Sequence, residues 1–275
     1  MTGAELVADI NACRVEHRQC GLWWLGQHSF VVKLGEATAW IDPFLTDLPE
    51  REVPPLVDAT EVAGARLVLG SHDHADHIDR PAWPAIAASS PEAVFIVPAL
   101  LRERLLDELP LDGERIIGID EDRPVTVGGL TIAAVPAAHE FLDTDAASGL
   151  HPYLGFIIEG PGFRLYHAGD TCLWEGLHER LRRRGPLDLM ILPINGRDGR
   201  RLAAGCIGNM TFQEAADLAG ALRPGTVIPA HYEMFAGNTA DVGEFVDYVR
   251  VKYPDQAVVV PCHGQRVILD ARSET

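Results

Sequence analysis

The chain has 275 residues, of which 47% are hydrophobic and 23% are charged, and its formal net charge is −17. This composition is typical of a globular protein with a sizeable core, and the negative charge argues against nucleic-acid binding because it repels phosphate backbones. No stretch approaches the roughly 18 consecutive apolar residues of a membrane span. The N-terminus lacks the basic and apolar regions of a secretory signal, and the five scattered cysteines indicate no disulfide framework. We therefore expect a cytoplasmic protein.

Hydrophobic spacing predicts an amphipathic helix over 4–17, followed by a β-rich section. The predicted strands are 21–26, 30–34, 38–42, 67–70, 93–97, 115–119, 129–135, 153–159, 163–167, 187–192, 226–229, 257–260 and 266–269. The further predicted helices are 80–89, 99–108, 177–184, 211–222 and 242–252. Alternation of strands and helices, with several direct hairpins, predicts a single mixed α/β layered domain over 1–275.

The most unusual stretch is 71–79, which follows a buried strand and holds three histidines and three aspartates. Neutral imidazole and carboxylate are ligands of Zn²⁺, Mn²⁺ and Fe²⁺, and a loop at a strand's end can fold several of them around one point. The alternative is a solvated acidic turn with chance histidines. A metal site is favoured because alternate His72 and His74 beside adjacent Asp76 and His77 offer two ligand sets, one for each metal.

Three more candidate ligands, His139, Asp170 and His231, each lie just past the end of a predicted strand. Strand ends of packed sheets can converge on one edge, so these residues together carry more weight than a lone loop histidine. Asp42 ends the third strand, where it is either a hydrogen-bonding partner of a histidine ligand or a turn initiator. His28 is the histidine that we expect near the site without being a ligand.

The segment 71–77, followed by His139, Asp170 and His231, resembles the metal-binding pattern of the metallo-β-lactamase superfamily. The resemblance implies an αββα four-layer sandwich, in which helices flank two mixed β-sheets, and it implies two adjacent divalent metal ions. The implied ligands are His72, His74 and His139 at the first metal, Asp76, His77 and His231 at the second, and Asp170 as the bridge.

Four segments, 21–26, 195–197, 206–211 and 228–235, resemble the L-ascorbate-6-phosphate lactonase branch of that superfamily. This closer resemblance implies a cytoplasmic, manganese-dependent enzyme that opens a sugar-phosphate lactone and assembles into a homo-oligomer. The chain is shorter than those lactonases, and 27–29 is more similar to other hydrolases of the superfamily. Both departures bear on the substrate and not on the chemistry.

The implied pair of metals suits hydrolysis, because two metals acidify a bridging water and polarise a carbonyl or phosphoryl oxygen. Our hypothesis is that the resulting hydroxide attacks a lactone or ester carbonyl. Asp170 would position the bridge, and Asp76 would pass the proton to the leaving alkoxide. A shell of imidazole and carboxylate is compatible with Mn²⁺, Zn²⁺ or Fe²⁺.

The candidate substrate-binding residues are Asn195, Arg197, Asn209 and Tyr232. Arg197 either grips a phosphate with two parallel hydrogen bonds or forms a surface salt bridge. Tyr232 either donates to an oxyanion or packs. The leading hypothesis is a lactonase or carboxylic-ester hydrolase acting on a small, phosphorylated, sugar-like substrate. The alternatives are a phosphodiesterase that uses the same two metals and a non-catalytic metal-binding protein.

Overall fold

The computed structural model describes residues 1–273, in which thirteen strands and seven α-helices follow one another. The strands are β1 (Gln19–Gly26), β2 (Ser29–Leu34), β3 (Ala37–Ile41), β4 (Leu67–Leu69), β5 (Val94–Pro98), β6 (Ile116–Ile119), β7 (Val125–Val127), β8 (Leu130–Pro136), β9 (Leu154–Gly160), β10 (Phe163–His167), β11 (Leu189–Pro193), β12 (Thr226–Ala230) and β13 (Val267–Asp270). The helices are α1 (Gly3–Ala12), α2 (Trp83–Ser89), α3 (Arg102–Glu108), α4 (Leu177–Arg183), α5 (Gly199–Ala203), α6 (Phe212–Leu222) and α7 (Val242–Lys252).

The strands form two mixed sheets, in the orders β13-β1-β2-β3-β4-β5-β6 and β12-β11-β10-β9-β8-β7. In the first sheet β3 to β6 are parallel. In the second sheet β10, β11 and β12 are parallel, and β8 runs the same way as β10 because both are antiparallel to β9. The loops that follow β8, β10, β11 and β12 therefore leave one edge of the second sheet.

Side chains along the strands of the first sheet point alternately into two layers of hydrophobic core, one on each face of the sheet. Leu22 and Trp24 belong to a large cluster with the second sheet and with α4, α6 and α7. Trp23 and Leu25, one residue along, face the other way and pack with α1, α2 and α3. Period-two alternation is what places a strand between two buried layers. The result is the expected αββα sandwich, so the predicted fold class is confirmed.

Most predicted elements are present, and the differences have local causes. The first helix ends at Ala12 because Cys13 turns to extended backbone. Segment 257–260 makes one isolated bridge, between Val258 and Val227, rather than a strand. Two elements were missed, β7 and α5, since three and five residues are too short to show a hydrophobic period. No helix within 1–273 has the length and apolarity that a bilayer crossing requires.

The two sheets approach each other closely at Gly160, the last residue of β9. A Cβ added there would lie 2.7 Å from the Cβ of Leu34, on β2 of the other sheet. Gly160→Ala should therefore lower the free energy of unfolding by about 1–3 kcal/mol, because the added methyl group overpacks the interface. The measurement is urea denaturation.

The matched control is Gly199→Ala in α5, where an added Cβ meets nothing within 4 Å among the described residues. That variant should keep its stability or gain up to about 1 kcal/mol from the better helix former. Equal stability of Gly160→Ala and the parent protein would show that the sheets do not meet closely at this point.

Candidate metal centre

The structure brings all seven predicted ligands together at the ends of strands. They form two groups, and within each group the ligand atoms all lie within 4.8 Å of one another. One group comprises His72, His74, His139 and Asp170, and the other comprises Asp76, His77 and His231. These groups match the two ligand sets that the resemblance implies, with Asp170 in the first group.

Asp170 lies between the two groups. Besides belonging to the first group, its Oδ2 is 3.0 Å from His231 Nε2 and its Oδ1 is 3.3 Å from His77 Nε2. A carboxylate that belongs to the first group and contacts two histidines of the second is suited to bridge two cations. Asp76 lies at the open side, with its Oδ2 3.5 Å from His77 Nε2 and its side chain 20% exposed, compared with 5% for Asp170.

Asp42 is the hydrogen-bonding partner of a ligand, one of the two roles that its position at the end of β3 allowed. Its buried carboxylate accepts a hydrogen bond from His77 Nδ1 at 2.7 Å. The backbone N–H and the Oγ of Ser71 also donate to it, each at 2.7 Å. Because His77 donates through Nδ1, its Nε2 carries the lone pair that a metal needs.

Ser71 extends this hydrogen-bond network to the first ligand group. Its Oγ donates to Asp42 and lies 3.0 Å from His72 Nδ1, from which it accepts. His72 Nε2 is then free and lies 2.9 Å from His74 Nδ1. Two imidazole nitrogens this close share either a proton or a bound cation. The distance therefore fits two histidines that bind the same metal.

Unpaired polar atoms at the centre of the site also fit a bound cation. His77 Nε2, His139 Nδ1 and Asp170 Oδ1 are buried and have no hydrogen-bond partner among residues 1–273. Buried polar atoms are rarely left without a partner, because each such atom costs about 1–3 kcal/mol. A divalent cation that accepts the lone pairs of these three atoms would give each of them a partner.

Ionisation of the ligands follows from burial and from their neighbours. Burial lowers the pKa of His72 well below its usual value, and the His77 imidazole lowers it further, so His72 is neutral and ready to bind a metal. Burial also disfavours the charged form of His77, but Asp170, Asp76 and Asp42 outweigh it and raise its pKa well above the usual value. Without a metal, a proton on His77 takes the place of the cation.

Backbone strain is concentrated around this site. Seven non-glycine residues of the described chain have positive φ, and three of them are Gln27, Asp42 and His231, at 52°, 46° and 61°. Two others, Glu140 and Glu233, lie one and two residues from a proposed ligand. Left-handed backbone costs a non-glycine residue about 1 kcal/mol or more, and it persists where the surroundings fix it. The strain here turns side chains at strand ends toward the centre.

Gln27 is a site residue that the sequence analysis missed. Its Nε2 lies 3.3 Å from Asp76 Oδ2 and 3.1 Å from the ring nitrogens of His231, so it lies between two ligands of the second group. A glutamine in a turn between two strands carries no distinctive pattern. Its position next to His28 was the available signal.

His28 lies near the site without a hydrogen bond to a ligand in the described chain. It is buried, and its ring packs edge-on against His167 with the centroids 4.1 Å apart. The rings of His77 and His231 lie 6.0 and 5.9 Å away. Burial, helped by His167, lowers its pKa well below the usual value, so His28 supports the ligands as a neutral packing residue.

The four predicted substrate-binding residues differ in what they contact. Arg197 Nη1 and Nη2 donate to both oxygens of Glu214, at 2.6 and 2.8 Å, as in the salt-bridge alternative.

Asn195 Nδ2 donates to Asn238 at 2.7 Å. The Asn195 Oδ1, both side-chain polar atoms of Asn209 and the Tyr232 hydroxyl are buried without partners among 1–273. The Tyr232 ring packs on Trp24, with the centroids 4.9 Å apart.

A cleft of about 410 Å³ opens beside the ligand groups. It is lined by Glu140, Phe141, Cys172, Leu173, Arg197, Asp198, Gly199, Leu202, Cys206, Ile207 and Gly208. Two of these residues are close in the chain to candidate ligands: Glu140 directly follows His139, and Cys172 lies two residues after Asp170. The cleft therefore adjoins the proposed metal centre. The sequence analysis did not predict it, because α5, which forms one wall, was missed.

Asp42→Asn should weaken metal binding by about 10- to 100-fold, because the amide is no longer an obligatory acceptor that fixes the His77 tautomer. Affinity is measured by competition with a chelator. Asp120→Asn is the matched control, since Asp120 also accepts from a histidine at 2.7 Å, but from His151, which is in neither ligand group. Equal losses in the two variants would contradict the proposed role of Asp42.

The metal-free protein should lose stability as the pH falls from about 6.5 to 4. Burial lowers the pKa of His139 from 6.5 to about 4, although Asp170 opposes the shift. A histidine whose pKa is lower in the folded state takes up a proton on unfolding, so its stabilisation is complete above 6.5 and declines below it. His139→Gln should flatten this decline in urea denaturation, whereas the control His178→Gln, at an exposed position in α4, should not. An unchanged decline in His139→Gln would contradict the assignment.

Comparison with known proteins agrees with the fold. UPF0173 metal-dependent hydrolases of Pyrococcus abyssi and Thermococcus onnurineus are 30% and 31% identical to this chain over 223 residues, or 81% of this chain and 88% of each relative. The structure of Igni18, a metallo hydrolase of Ignicoccus hospitalis, superimposes with a TM-score of 0.71 at 24% identity, covering 92% of this chain and all of that one. A family model described as the β-lactamase superfamily domain matches residues 38–232. The chain therefore belongs to the metallo-β-lactamase superfamily.

Proposed function

We propose that this chain is a metal-dependent hydrolase that opens a lactone or carboxylic ester of a small molecule. The observation that carries the proposal is the set of seven candidate imidazole and carboxylate ligands, which form two groups that meet at Asp170, beside a cleft lined by chain neighbours of His139 and Asp170. A cleft of about 410 Å³ has the size of small-molecule sites. The substrate is thus expected to enter beside His139 and Asp170.

The residues of the chain have distinct roles in this proposal. Two bound divalent cations, Mn²⁺, Zn²⁺ or Fe²⁺, would supply an activated water and polarise the scissile carbonyl. Asp170 would hold the two cation positions together, while the buried imidazoles fix the geometry. Asp76 is the more exposed of the two ligand carboxylates. It is therefore the group placed to pass a proton to the leaving alkoxide.

Charge favours a carbonyl substrate over a phosphodiester. The Arg197 guanidinium at the cleft is already neutralised by both oxygens of Glu214. With a formal net charge of −17, the chain as a whole also repels anions. Apart from the bound metals, a phosphodiester would find no unpaired cationic side chain among the described residues that line the cleft, and a neutral ester needs none. A phosphorylated sugar lactone would bind if Arg197 exchanged Glu214 for the phosphate, and that substrate belongs in the test.

Metal-free protein reconstituted separately with Mn²⁺ and Zn²⁺ should open γ-butyrolactone or L-ascorbate 6-phosphate faster than it cleaves bis-p-nitrophenyl phosphate. Asp170→Ala should reduce lactone hydrolysis by about a thousandfold or more, because losing the shared ligand removes the activated water. The control is Asp122→Ala, which removes an exposed carboxylate elsewhere and should keep full activity.

Each alternative result has a definite meaning. Cleavage of the phosphodiester alone would keep the metal centre and overturn the substrate class. Full lactonase activity in Asp170→Ala would overturn the assignment of Asp170. If Arg197→Ala abolishes opening of the sugar-phosphate lactone and leaves opening of γ-butyrolactone unchanged, Arg197 is the residue that binds the phosphate.

A further inference from the structure

Exposed apolar side chains gather at the cleft beside the proposed metal centre. The large hydrophobic residues exposed within 1–273 are Met1, Phe141, Leu142, Leu173, Leu202, Val251, Val260 and Ile268. Of these, Phe141, Leu173 and Leu202 line the cleft, and Leu142 follows Phe141 directly. Phe141 is 66% exposed and Leu202 is 49% exposed. Single exposed apolar residues are ordinary, but a group of them around one cavity marks a binding surface.

The apolar walls are continuous with the ligand groups. Phe141 lies two residues after His139 and forms an isolated bridge with it. Leu173 lies three residues after Asp170, and its neighbour Cys172 donates its backbone N–H to Ala138 at 2.8 Å. This hydrogen bond joins the two loops that carry His139 and Asp170. A group bound between Phe141 and Leu173 would therefore lie next to the loops that carry His139 and Asp170.

Charged groups at the cleft are largely paired with one another. Arg197 is held by Glu214, and Asp198 accepts from Arg201 Nε at 2.7 Å besides capping α5. Glu140 adds a carboxylate at the entrance. The cleft thus offers apolar contact without a free cation among the described residues that line it, and it disfavours an anionic occupant.

We propose that this cleft binds an alkyl or aryl substituent of the substrate, so that the protein prefers lactones and esters with an apolar group next to the scissile carbonyl. The inference rests on the proposed function, because the substituent must belong to the molecule that is cleaved. Phe141, Leu173 and Leu202 are the specificity-determining residues, and Leu202, on the surface of α5, can be changed without disturbing the core.

The test is a series of p-nitrophenyl acetate, butyrate and octanoate with the metal-loaded protein. Burial of one CH₂ contributes about 0.8 kcal/mol, so kcat/KM should rise by up to about fourfold for each added CH₂. In Leu202→Gln the ratio of octanoate to acetate kcat/KM should fall by about tenfold. The matched control is Val251→Gln on α7, where the side chain is 83% exposed away from the cleft, and it should keep the parent ratio.

Calorimetric binding of 1-octanol and 1-butanol separates this inference from the proposed function. Tighter binding of octanol that Leu202→Gln weakens, without cleavage of any ester or lactone, would support the apolar cleft and overturn the proposed function. Ester cleavage with no dependence on chain length, or with the same dependence in Leu202→Gln, would overturn the cleft assignment and keep the function. A change of oligomeric state in Leu202→Gln with an unchanged octanoate preference would show that the apolar patch is an interface between copies of the chain, and would also overturn the inference.

Discussion

The geometry of the ligand loop depends on one buried carboxylate, that of Asp42. The parallel pairing of β3 and β4 places it beside the start of the loop, where it accepts two hydrogen bonds from Ser71 and one from His77. Through Ser71 it also sets the tautomer of His72. A single acceptor therefore orients one histidine in each ligand group, and the left-handed backbone of Asp42 at φ 46° is the local strain that this arrangement requires.

Burial keeps candidate ligands ready to bind a metal, but it also makes the site energetically unfavourable when no metal is bound. Burial keeps His72 neutral with a lone pair to present, but the carboxylates near it need a nearby positive charge. His77 provides that charge as an imidazolium when no metal is present, and bound cations would provide it permanently. Metal binding, protonation and folding are thus linked through the same few side chains, as is usual when ligands must be deprotonated to bind.

The convergence of the candidate ligands could be predicted from sequence because their positions follow a simple geometric rule. Strands that run in the same direction end at the same edge, so His139, Asp170 and His231 at the ends of β8, β10 and β12 are brought together by topology. Gln27 was not predicted, since its contact with the candidate ligands depends on a left-handed turn. The cleft was also beyond prediction, because one of its walls comes from a five-residue helix without a recognisable period.

The most direct test of this account is the number and coupling of the metal ions that the protein binds. Reconstitution with Mn²⁺ should give two equivalents per chain by elemental analysis. Electron paramagnetic resonance should show exchange-coupled Mn²⁺, because the two ligand groups share the Asp170 carboxylate. One equivalent per chain, or two ions with an uncoupled spectrum, would contradict a dinuclear centre bridged by Asp170.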